Sequence, residues 1–126
     1  MKKILLLTFT ILMTSNIAWA CGGIALKGKY CLSKHRMNWY SASAWCQAQG
    51  MNLVDVKEVC GSLTSTCTAL QLSSEEKDMI TAAGGKVDSV WTNTSKSDKN
   101  IYVMYLGSAN LDGAWGRASS SYALCQ

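Results

Sequence analysis

The sequence predicts a small α+β domain: two helices, then a small antiparallel sheet, stapled by disulfides. Three observations predict it. Residues 39–56, WYSASAWCQAQGMNLVDV, read as a helix, a glycine stop and a short strand. From Ser89 onward the pattern changes to short β-branched and aromatic runs separated by polar turns. All six cysteines follow position 20, which in an exported chain of this size makes three disulfides the default.

The elements follow in order. Lys2 and Lys3, an apolar run from Ile4 to Met13, and Ala18-Trp19-Ala20 have the three parts of a secretory signal with an A-x-A cleavage site. Residues 1–20 are therefore expected to be a signal peptide, and residues 21–126 one domain. Two other readings stay open. An uncleaved anchor would tie the chain to a membrane, although the apolar run falls short of the roughly 20 residues that span one. Cys21 could carry a lipid, although Ala18 stands where bacterial lipidation signals favour leucine.

Ile24-Ala25-Leu26, Lys27-Gly28-Lys29 and Tyr30-Cys31 read as a short hairpin. In the first helix Trp39, Ala42, Cys46 and Gln49 share one face, Asn38 caps the start, and Gly50 supplies the left-handed stop. Leu53 to Val56 is read as a strand. Residues 58–69, rich in Ser, Thr, Gly and Cys, read as a surface loop. Ser73 or Ser74 caps the second helix, Glu75 and Glu76 favour its first turn, and Gly84-Gly85 ends it. Strands are expected at residues 89–94, 101–106, 114–117 and 122–125. Turns are expected at residues 95–100 and 107–113.

Catalysis has little to stand on. His35 is the only histidine, so no Ser-His-Asp or Cys-His set can be read. Glu75 and Glu76 are neighbours on a helix and face different ways. No glycine-rich phosphate loop and no C-x-x-C zinc pattern occur. The formal charge is +4, and +2 without Lys2 and Lys3, with no basic run, which argues against nucleic acid.

At Trp39, Ala42, Cys46, Gly50, Leu53 and Val56 the chain resembles the C-type lectin-like domain family. The resemblance continues at Leu72-Ser73-Ser74-Glu75, at Val90-Trp91-Thr92 and at Tyr122-Ala123-Leu124-Cys125. It covers about residues 30–126. It implies a compact C-type lectin-like fold with both chain ends together. Trp39, Cys46, Leu53, Val56, Trp91, Leu124 and Cys125 should then be buried. Six cysteines allow 15 pairings; the resemblance implies Cys46–Cys125, Cys21–Cys31 and Cys60–Cys67. Val90-Trp91-Thr92, Tyr102-Val103, Arg117 and Tyr122-Ala123-Leu124-Cys125 also look like bacterial domains related to formylglycine-generating enzymes, as a relative in fold and not in activity.

The chain departs from the family's calcium-dependent sugar binders. It has no proline, hence no Glu-Pro-Asn or Gln-Pro-Asp, and no Trp-Asn-Asp. Neither metal nor cofactor is expected, although Asn110 with Asp112, or Asp98 with Asn100, offer oxygen ligands for weak calcium binding. The residues singled out for ligand contact are Trp115, Tyr102, Tyr105, Asn110 and Asp112. Trp115 stands between two glycines and is the aromatic expected at the surface. Along residues 101–106 both alternating faces are apolar, and one core explains only one of them. The expected function is an exported, non-enzymatic binding module for a glycan or a surface protein. A structural part of a cell-envelope or pilus-like assembly and a small exported hydrolase are the alternatives.

Overall fold

The computed structural model describes residues 21–63 and 66–126; the side chain of Asp112 and residues 1–20, with their expected signal peptide, lie outside what is described. The chain begins with a hairpin, β1 (Ile24–Leu26) and β2 (Tyr30–Leu32). Lys27 and Gly28 both take positive φ, 53° and 72°, the pair of left-handed residues that a tight hairpin turn requires. Helix α1 (Trp39–Gln47) follows. The Asn38 side chain accepts from the Ser41 N–H, and Gly50 takes φ 73° beyond the helix end.

The next element differs from expectation. Leu53 makes only an isolated bridge to Cys125, and residues 56–60 form a short helix, α2 (Val56–Cys60). The cause is local. Asp55 adopts an extended backbone and its side chain accepts from the Glu58 N–H, which starts a helix where apolar Val54 and Val56 suggest a strand. The segment read as a surface loop, residues 58–69, is accordingly less irregular among its described residues. It holds the end of α2 and a 3-10 turn, Thr68–Leu70. Helix α3 (Ser74–Ala82) opens on a full capping box: Ser73 accepts from the Glu76 N–H and Glu76 accepts from the Ser73 N–H.

Strands β3 (Ser89–Ser95), β4 (Asn100–Tyr105), β5 (Asn110–Gly116) and β6 (Tyr122–Cys125) complete the chain. The turn after β4 is shorter than expected: β5 already begins at Asn110, because Ala109 takes φ 57° and reverses the chain at once. The six strands form one sheet in the order β1-β2-β6-β3-β4-β5. It is not wholly antiparallel as expected. β3 and β6 run parallel, pairing Val90 with Tyr122 and Trp91 with Ala123. β2 and β6, from opposite ends of the described chain, pair directly.

Both faces of this sheet are covered over its central strands. Period-two alternation sends Leu32, Val90, Met104, Tyr122 and Leu124 to one core, with Val56, Leu70 and Ile80 from the helical side. Their neighbours Cys31, Trp91, Ile101, Val103, Ala123 and Cys125 go to a second core under α1, with Ala42 and Cys46. This accounts for the two apolar faces of β4 at Ile101, Val103 and Met104, where both sides of the sheet are buried; Tyr105 and the β5 edge stay partly exposed. Six of the seven residues expected to be buried are so; Trp39 is half-buried at the rim of the second core.

The cysteines lie in the three pairs that the resemblance implies. Cα–Cα distances are 5.6 Å for Cys21–Cys31, 5.5 Å for Cys46–Cys125 and 5.2 Å for Cys60–Cys67. All fall within the usual disulfide span. Disulfides of this kind persist in oxidising compartments, outside the cytosol or in a periplasm. Among the described residues no helix is long and apolar enough to cross a membrane.

Candidate binding surface

Strand alternation divides the residues singled out for ligand contact. Ile101 and Val103 face the second core, so Tyr105 shares their face while Tyr102 points to the opposite one. Tyr102 is half-buried; Tyr105 is 44% exposed. Trp115 sits opposite Ile101 and meets the buried Trp91 edge-on, with ring centroids 6.3 Å apart and planes at 82°. It is half-buried, so part of the indole reaches the surface on the α1 side. Trp115, Tyr102 and Tyr105 therefore form no single platform.

The polar members have structural duties. Asn110 Oδ1 accepts from the Thr66 hydroxyl at 2.8 Å, and the Cys67 N–H donates to the Ala109 carbonyl at 2.8 Å. Together these dock the disulfide-closed segment on the start of β5. Asp112 contributes its backbone to β5. The Asp98 carbonyl accepts from the Arg117 guanidinium at 2.5 Å, and Asn100 closes the β3–β4 turn through backbone bonds from Lys96 and Ser97. Among the described residues no three His, Cys, Asp or Glu side chains gather in one place.

A different group of residues comes together on the α1 side of the sheet. The Trp39 N–H donates to the Arg117 carbonyl at 3.0 Å, which ties the first residue of α1 to the residue after β5. The Arg117 guanidinium then lies over the Trp39 ring, 5.2 Å from its centroid. Tyr40 meets Trp39 edge-on at 5.4 Å and is itself 62% exposed, the most open of the large apolar side chains described. Trp39 and Trp115 both rest on the second core. Both buried-side indole N–H groups are already engaged: Trp39 Nε1 donates to the Thr92 carbonyl at 3.1 Å and Trp91 Nε1 to the Met37 carbonyl at 2.8 Å. What this cluster leaves at the surface is ring area and one oriented guanidinium.

Neither Tyr40 nor Arg117 was among the residues singled out for ligand contact from the sequence. Tyr40 carries a readable signal, because it falls off the face shared by Trp39, Ala42 and Cys46 and so must project from the helix. Arg117 enters only through a resemblance at the closing residues, and nothing local to it signals a neighbour on the first helix. Its place depends on bringing residue 117 to residue 39 across the sheet.

The structure is a disulfide-stapled α+β domain with a partly exposed aromatic cluster on its α1 side. Compared with models of protein families, the chain matches none, and no curated protein matches it.

Proposed function

We propose that the protein is an exported, non-enzymatic binding module with a C-type lectin-like plan, whose contact surface is formed by Tyr40, Trp39, Trp115 and Arg117. Its partner is a glycan or a surface protein, held without the family's calcium site. One observation carries the reading: a 62% exposed tyrosine ring braced against a tryptophan that lies under an arginine. Trp, Tyr and Arg are the residues that dominate contact energy at binding surfaces, and rigid aromatics lose little side-chain freedom on contact. The bracing residues stand on α1 and at the end of β5, and Cys46–Cys125 locks α1 to the sheet. Three disulfides support export.

The test is a glycan array and a panel of cell-surface proteins probed with the oxidised protein, beside Tyr40→Ala and Trp115→Ala variants. Binding should fall at least about tenfold in the variants, corresponding to about 1.4 kcal/mol, while the melting temperature of Tyr40→Ala stays within a few degrees of the parent. Equal binding by the variants would move the site elsewhere. No binding to either panel would remove the function.

A further inference from the structure

On the opposite side of the sheet the structure leaves an open cleft of about 400 Å³, lined by Lys29, Tyr30, Glu58, Val59, Ala69 and Gln126. That is within the size range of small-molecule sites. Its walls come from the β1–β2 turn, α2, the 3-10 turn and the chain end. Tyr30 and Val59 pack on the first core, and Cys60–Cys67 pins α2 to the segment that carries Ala69, so the walls are anchored.

The charges in this cleft are arranged unusually. Lys29 stands on one wall with its ammonium 5.5 Å from the Tyr30 ring centroid, and Glu58 stands on another. They do not close on each other. The ion pairs among the described residues are Lys27–Glu76 and Arg36–Asp88, neither of which involves the cleft. Apolar Val59 and Ala69 line the same cleft. Gln126 Oε1 lies 3.4 Å from the Asp55 N–H, a long contact, and the amide protons of the same carboxamide are donors it can turn to a ligand. Burial pushes the Tyr30 phenol above its ordinary pKa, so the ring under Lys29 stays neutral.

We infer that this cleft binds a small zwitterion, a free amino acid or a short peptide, with its carboxylate on Lys29 and its ammonium on Glu58. A ligand with one charge would leave the other wall unanswered, and a neutral one would answer neither. The inference concerns a second site and does not depend on the aromatic surface.

The experiment is an amide-resonance titration of the oxidised protein with L-alanyl-L-alanine, its N-acetyl form and its C-terminal amide. The dipeptide should shift Lys29, Tyr30, Glu58 and Val59 saturably, with a Kd at or below about 1 mM, and each capped form should bind at least about fivefold more weakly. Lys29→Gln should erase the penalty for the C-terminal amide alone, and Glu58→Gln the penalty for the N-acetyl form alone. Both positions are exposed, so neither change threatens the fold. Absence of saturable shifts up to about 20 mM, or equal binding of capped and free forms, would overturn the inference.

Discussion

Removal of the Cys46–Cys125 bridge tests the frame that holds α1, with Trp39 and Tyr40, on the sheet. The two cysteines are 79 residues apart in sequence and both are fully buried between α1 and β6. Closing a loop of that length restricts the unfolded chain by about 4.5 kcal/mol on the chain-entropy model, against about 2.5 kcal/mol for a loop as short as that of Cys60–Cys67, whose separation is 7. Replacing both buried sulfurs by hydrogen also leaves a void beneath α1, which adds to the first figure. In a domain of this size about 1 kcal/mol corresponds to about 4–8 °C. Cys46→Ala with Cys125→Ala should therefore lower the melting temperature by roughly 20–35 °C, and Cys60→Ala with Cys67→Ala by roughly 10–20 °C. Circular dichroism melts of both pairs, with urea unfolding to extract free energies, measure the difference. Equal losses in the two pairs, or a loss under about 5 °C for the long-range pair, would refute the reasoning.

Four further outcomes are expected. Gly23→Ala should destabilise the chain by about 1–3 kcal/mol in urea, because a Cβ there would stand 2.2 Å from the Leu32 carbonyl oxygen, a backbone atom held in the hairpin. Asp55→Ala should cost about 1 kcal/mol through the lost cap of α2, and Asp55→Asn much less; a neutral Asp55→Ala would mean that packing alone holds that helix. The Glu76 carboxylate is held below its ordinary pKa by the Ser73 N–H first and by Lys27 second, so its contribution is present at neutral pH and is lost as the pH falls below the ordinary glutamate range. Glu76→Gln should thus flatten the acid side of a stability–pH profile. EDTA should change the melting temperature by less than about 5 °C, since a site with few carboxylates adds only about 0.4 kcal/mol at calcium near its Kd; a larger drop restored by calcium would return Asn110, Asp112, Asp98 and Asn100 to consideration as ligands.

The sequence by itself determined the elements whose signals are short-range. Asn38, Gly50, Ser73 and Gly84 act on backbone groups within four residues, so the bounds of α1 and α3 were readable from composition and spacing. The same holds for the β1–β2 turn. Asp55 and Glu58 carried an equally local signal for α2, masked by the apolar residues beside it. Only the tertiary structure decided what depends on distant partners. The parallel pairing of β3 with β6 joins residues 90 and 122, and no local pattern distinguishes it from an antiparallel one. The two apolar faces of β4 made sense only once α1 covered one side and the remaining helices the other. The cluster of Trp39, Tyr40 and Arg117 belongs to the same category. Aromatic residues were visible in the sequence, but which of them share a face was set by strand register, and Arg117 reached Trp39 only because the sheet carries the end of β5 to the start of α1.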